Sequence, residues 1–262
     1  MKIWVMCDLE GVAGLSSFER EVQSDSPYYE LAKRLATQEL NALVEGALAG
    51  GATEIVAIDG HGCGGLDMEN LHPELKLGMR WAIEFPWGLD DSWDAGMLFA
   101  HHAMEGTPNA ILRHSWSHTA YGGVWLNDEP LGEIGTGIRL AGHFGFPVVF
   151  ITGDRAAVRE AQALVPEMEG AVVKEKLPTG IGVSLSPTKS REVIRAGAER
   201  AMGLVSAIPP LETNTPCELK LKYSDAAATA RAVEYGWQRV DEDTVVCQGA
   251  DIVEVMRKFY GG

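Results

Sequence analysis

The stretch IWVMCDLEGVAG, residues 3–14, decides the fold. Its apolar run, Ile3-Trp4-Val5-Met6, stops abruptly at two acids, Asp8 and Glu10, and Gly11 follows directly. Residues 2–7 read as a buried strand. Asp8 and Glu10 are two positions apart, so an extended chain points both to one face, with their α-carbons roughly 6.6 Å apart. A Gly-containing loop leads on to a helix expected from about Pro27 to Leu48. Ser26 is placed to cap that helix, and Pro27 suits its first position. Leu31, Leu35, Leu40 and Leu43 keep a helical stripe, and Gly50-Gly51 ends it. TEIVAID, 53–59, is the next strand. A β-α-β opening implies parallel strands joined by a right-handed crossover.

The alternation continues outward from there. GMLFA, 96–100, reads as another core strand, and GGVWLNDEPLG, 122–132, as a hairpin turning at Asn127-Asp128. A short helix is expected from about Glu133 to His143. PVVFIT, 147–152, is a strand, and Asp154 caps a helix reaching about Leu164. AVVKEK is a further short strand, and Ser186-Pro187 opens a helix running to about Ser206. Pro209-Pro210 is the best linker. Beyond it CELKLKY, DAAATARAVEYG, TVVCQG and DIVEVMRKFY read strand, helix, strand, helix. The fold class is α/β: a mostly parallel sheet flanked by helices, with a smaller C-terminal α+β unit. Residues 1–208 are expected to form the domain that carries the chemistry. Residues 211–262 form the smaller unit, which can pack with residues from about 75–125.

Composition narrows the partners. A formal net charge of −15 with no basic stripe argues against binding a nucleic-acid backbone. No apolar run approaches the ~18 residues of a membrane span, and no signal-peptide pattern precedes Asp8. Cys7, Cys63, Cys217 and Cys247 form no C-x-x-C pair and read as reduced core thiols. A cytoplasmic protein is expected.

In open α/β sheets, ligands bind beyond the carboxyl ends of the strands. The first strand delivers Asp8 and Glu10 there, the second Asp59 and His61, GMLFA delivers His101 and His102, and AILRHSWSH delivers His114, with His118 as a further candidate. Glu133 follows the hairpin at a helix start. Taken singly, each has an ordinary reading as a turn cap, a solvated acid or a structural histidine. Together, carboxylates and imidazoles at one sheet edge are the donor set of a zinc-type site, and two such acids can hold a pair of metals. His101 and His102 point to opposite faces of an extended chain, so one of them at most is expected to be a ligand. His72 and His143 read as ordinary. GHGCGG, 60–65, matches a dinucleotide fingerprint, but Pro73 interrupts the helix which that motif requires.

DLEGVAG, DGH, HHA, RHS and NDEPLGEIG at these spacings resemble the zinc-dependent D-aminopeptidase family, peptidase family M55, first described as a dipeptide-transport operon protein. The likeness runs over essentially the whole chain. It implies a metallo-aminopeptidase with two Zn²⁺ per subunit, held by Asp8, Glu10, His61, His102 and Glu133. Asp8 would be the bridging carboxylate and His114 the catalytic histidine. His102 is chosen over His101 because alanine follows it. The resemblance also implies a homo-oligomer, by analogy a ring of ten subunits, and substrates that are short peptides or amino-acid amides with N-terminal D-residues. A dinuclear amidase on another small substrate, or a metal-stabilised binding module without turnover, are the other readings.

Overall fold

The computed structural model describes residues 1–78 and 84–261. Its larger sheet has seven strands: β1 (Lys2–Cys7), β2 (Glu54–Asp59), β3 (Leu75–Gly78), β4 (Ala95–His101), β7 (Val148–Asp154), β8 (Glu169–Lys176) and β9 (Gly182–Ser184). Their spatial order is β3-β2-β1-β4-β7-β8-β9, parallel throughout except for β9 at the edge. The chain therefore builds outward from β1 in one direction, through β2 to β3, and then in the other, through β4 and β7. That reversal opens a crevice at the carboxyl ends of β1, β2 and β4, where α/β sheets place their ligands.

Helix α1 (Tyr29–Ala49) packs on α4 (Pro187–Met202), and α2 (Glu133–His143) packs on α3 (Arg155–Leu164). These pairs cover the large sheet. The strands β1, β4 and β7 are buried almost throughout, which explains their unbroken apolar character. The smaller sheet is antiparallel, in the order β11-β12-β10-β5-β6. It joins the C-terminal strands β10 (Cys217–Tyr223), β11 (Gln238–Arg239) and β12 (Thr244–Gly249) to the hairpin β5 (Tyr121–Leu126) and β6 (Glu129–Pro130). Helices α5 (Ala226–Glu234) and α6 (Ile252–Gly261) pack against it, and α6 also touches α2.

Most elements fall where the sequence places them. The hairpin turns at Asn127 and Asp128, both with positive φ (52° and 65°), the signature of a two-residue turn matched to strand twist. Asp154 caps α3 by accepting from the Ala157 N–H at 2.8 Å. The differences have local causes. Ser26 does not cap α1, because its Oγ accepts from Gln23 and donates to the Phe18 carbonyl. The α4 helix stops at Met202 rather than Ser206, since Gly203 closes it. Residues 110–118, which the sequence places at the sheet edge without assigning an element, are a loop. The short strands β3, β9 and β11 are too brief for an alternation to show.

Gly11 is required by packing. A Cβ there would lie 2.2 Å from the Ala100 carbonyl carbon and 2.5 Å from the His101 oxygen. The Gly11 N–H instead donates to Ala100 at 2.7 Å, just as the Asp8 N–H donates to Phe99 at 2.9 Å. These two bonds lock the acid-bearing turn onto the end of β4. Gly11→Ala is therefore expected to cost roughly 2 kcal/mol through overpacking, read as a melting midpoint several degrees lower. An unchanged midpoint would show that the turn yields freely.

Candidate active site

Asp8 sits at the end of β1, 5% exposed, and each of its oxygens faces a different group. On one side the His61 Nδ1 lies 3.3 Å from Asp8 Oδ1 and 3.2 Å from Glu10 Oε2. On the other the His102 Nε2 lies 3.2 Å from Asp8 Oδ2 and 3.5 Å from Glu133 Oε1. His114 completes the cluster, its Nε2 3.9 Å from Glu10 Oε1 and its ring stacked on His102 at 3.8 Å. The structure thus brings together all six residues singled out from sequence. His118 stands apart, stacked on Phe18.

Each imidazole is anchored from behind. His61 Nε2 pairs with the Val22 carbonyl at 2.8 Å, His102 Nδ1 with Ala103 at 3.0 Å, and His114 Nδ1 with Leu112 at 3.0 Å. A neutral ring that donates to a carbonyl turns the lone pair of its other nitrogen inward, which is how ligand histidines are oriented. Here those lone pairs face carboxylates. Asp8 Oδ2, Glu10 Oε2, His102 Nε2 and both nitrogens of His101 are buried with no hydrogen-bond partner. Each such group costs about 1–3 kcal/mol, so the cluster needs positive charge within it.

The titration behaviour has the same cause. Burial pushes Asp8 up, but His102 and His61 outweigh it once their inward nitrogens carry protons, and hold the carboxyl well below its usual range. Burial pushes His61 and His102 down, yet Glu10 and Asp8 raise the first, and Glu133 and Asp8 the second, well above the ordinary imidazole value. Ring protons on these two histidines would still leave one negative charge of the three carboxylates buried. Divalent cations would not. The spacing also fits: ligand atoms ~2.0–2.2 Å from a tetrahedral zinc lie about 3.3 Å from one another, close to the separations found within each group.

Local structure places these side chains at the cost of strain. Ala100 has φ 57°, and the β4–β7 register shifts between Leu98 and His101. The alternation of β4 is broken there, so His101 and His102 both turn toward Asp8 instead of to opposite faces, with His101 Nδ1 farther off at 4.0 Å. The loop bearing His114 has Leu112 and Trp116 at φ 56° and 57°. It is pinned by Ile111 N–H to Asp154 Oδ2 at 2.9 Å and by Trp116 N–H to Glu133 Oε1 at 2.7 Å. Left-handed residues held in this way cluster at functional sites. The glycine segment after β2 leads into loop and one short 3₁₀ turn, Met68–Asn70, not the helix a dinucleotide site needs.

Sequence reasoning missed Lys174. It is 3% exposed on β8, and its ammonium donates to the backbone carbonyls of Glu10 and Leu15. Burial pulls its pKa down to about 8. From the other side Glu39 of α1, also buried, accepts from the Ala13 N–H at 3.3 Å. The two charges clamp the segment that carries Glu10. A lysine closing the apolar run AVVK at a strand's carboxyl end was the available signal.

Comparisons with known proteins identify the family of this chain. A family model described as D-aminopeptidase, peptidase M55, matches residues 1–260. The chain is 31% identical over 217 residues to a D-aminopeptidase of Bacillus subtilis (strain 168), covering 80% of this chain and 77% of that one. It is similar to the solved structure of the Zn-dependent D-aminopeptidase DppA from Bacillus subtilis, described as a self-compartmentalizing protease. That likeness has a TM-score of 0.92 at 27% identity, over 100% of this chain and 96% of the other.

Lys174→Met is expected to lower the zinc content of purified protein by at least half, with a lower melting midpoint, because Glu10 loses its anchor. Full zinc content at an unchanged midpoint would show that the clamp is dispensable.

Proposed function

This chain belongs to the D-aminopeptidase family, peptidase M55, and from that premise we propose that it is a zinc aminopeptidase removing N-terminal D-residues from short peptides or amino-acid amides. The observation that carries the reading is the pair of donor groups sharing Asp8. Asp8, Glu10 and His61 are spaced as the ligands of one ion, and on the other side His102 Nε2 lies 3.2 Å from Asp8 Oδ2 and 3.5 Å from Glu133 Oε1. These residues would hold two zinc ions per subunit, with Asp8 common to both sets. When bound, zinc supplies a Lewis acid and brings the pKa of water toward ~7.

The chain's own residues supply the rest. The substrate's free α-amine would lie against this cluster of carboxylates, imidazoles and bound ions, which would limit cleavage to N-terminal residues. His114 is held at a fixed angle by its bond to Leu112, by stacking on His102 and by the edge of Phe18 at 5.3 Å. Its Nε2 points into the cluster, placed to pass a proton to the departing amine and to steady charge on the carbonyl oxygen. Anchoring to strand ends, to the start of α2 and to a hydrogen-bonded loop keeps these groups aligned without reorganisation. No helix among the described residues is long and apolar enough to cross a membrane. By analogy with the self-compartmentalizing relative, we propose a cytoplasmic homo-oligomer, a decameric ring, that encloses its sites.

The test combines metal content with turnover. Zinc-loaded protein is expected to hydrolyse D-alanine amides and dipeptides faster than their L-counterparts. Asp8→Ala should lose most of its zinc and nearly all activity. His114→Ala should keep its zinc while kcat drops by 10²–10⁴. Full zinc and activity in Asp8→Ala would overturn the assignment.

A further inference from the structure

Two cavities meet at the cluster. The wider, about 450 Å³, contains Glu10, His61 and His114. The narrower, about 250 Å³, is lined by Met6, Ile58, Trp87, Trp116 and Tyr260, with the polar side chains of Asp8, Asp59, His101, Glu133 and Thr136 among them. Both share Asp8, Glu133, Trp116 and Tyr260, so a substrate bond lying at their junction would have one residue in the narrow cavity and the remainder in the wide one.

We infer that the narrow cavity receives the substrate's N-terminal residue and selects apolar side chains up to the size of a phenyl ring. The inference rests on the aminopeptidase reading and names the substrate class for it. Its volume is sufficient, since an apolar cavity of about 150 Å³ already holds benzene. Its aromatic wall is stiff. Trp116 Nε1 donates to the Tyr260 hydroxyl at 2.6 Å, Trp87 meets the Tyr260 ring edge-on at 4.9 Å, and Phe85 stacks on Tyr260 at 5.3 Å. Trp87 and Trp116 both sit at positive φ, 59° and 57°, so the chain accepts backbone strain to present these two indoles.

The polar lining offers a partner for the substrate's amine. His101 is part of it, 2% exposed with neither ring nitrogen partnered. An imidazole buried in this way beside the metal ligands offers a hydrogen-bond acceptor for the substrate's amine. The described residues lining the cavity include carboxylates and no Lys or Arg, a lining that disfavours an acidic side chain.

The experiment measures kcat and KM of the zinc-loaded full-length enzyme on the p-nitroanilides of D-Phe, D-Leu, D-Ala and D-Asp, and on N-acetyl-D-Phe p-nitroanilide. D-Phe and D-Leu are expected to exceed D-Asp in kcat/KM at least tenfold, and the acetylated compound to resist cleavage. Trp87→Ala should lower the D-Phe to D-Ala ratio of kcat/KM about tenfold, mainly through KM. The unmodified enzyme's panel decides the matter even if that variant misfolds. Equal turnover of apolar and acidic substrates, or an unchanged ratio in folded Trp87→Ala, overturns this inference and leaves the aminopeptidase reading standing. No turnover on any free-amine substrate overturns both.

Discussion

A carboxylate buried among imidazoles and two other acids governs this structure. Asp8 is enclosed at the end of β1, where β2 and β4 flank it, and imidazoles approach both of its oxygens. With His102 neutral, Asp8 Oδ2 and the facing His102 Nε2 stay unpaired. An unpaired buried charge is among the most destabilising features a fold can carry. The rest of the site is arranged so that a cation would remove that cost, and the same arrangement would leave the cation ready for chemistry.

The surroundings hold that arrangement in place. Main-chain carbonyls take the outward nitrogen of each imidazole, so the rings cannot swing away when their inward side is empty. Lys174 and Glu39 grip the backbone around Glu10 from β8 and α1. Asp154 both caps α3 and pins the loop before His114. The strained residues Ala100, Leu112 and Trp116 are concentrated next to ligand or catalytic candidates, and the hydrogen-bonded frame around them is what makes their conformations affordable. Stability is spent close to where alignment matters.

The two aromatic clusters serve different ends. Phe18 backs His114 and stacks with His118 at the mouth of the wide cleft. Trp87, Trp116 and Tyr260 come from three distant segments and form the wall of the narrow cavity. Tyr260 belongs to α6, so the C-terminal unit contributes directly to the site carried by the larger sheet. The contact of α6 with α2, which begins at Glu133, brings the two together.

Much was legible in the order of residues because it depends on short-range chemistry. An apolar run ending in acids and glycine marks β1 and its turn. Strand-helix alternation implies a parallel sheet, and in such a sheet strand ends share one edge, so Asp8, Glu10, His61 and His102 could be grouped without knowing the strand order. The hairpin at Asn127-Asp128 and the start of α2 at Glu133 are likewise local. What needed the tertiary structure depends on contacts between segments far apart in the chain. The left-handed Ala100 turns both His101 and His102 inward, against the alternation a regular strand would impose. Lys174 reaches Glu10 across 164 positions, and no periodicity reports such a contact. Loop 110–118 has no strand pattern of its own to find, since its shape is set by side chains of Asp154 and Glu133. Sequence thus determined which donors reach the sheet edge, through local periodicity and parallel topology. Only packing decided their angles, their distances and the walls of the cavities beside them.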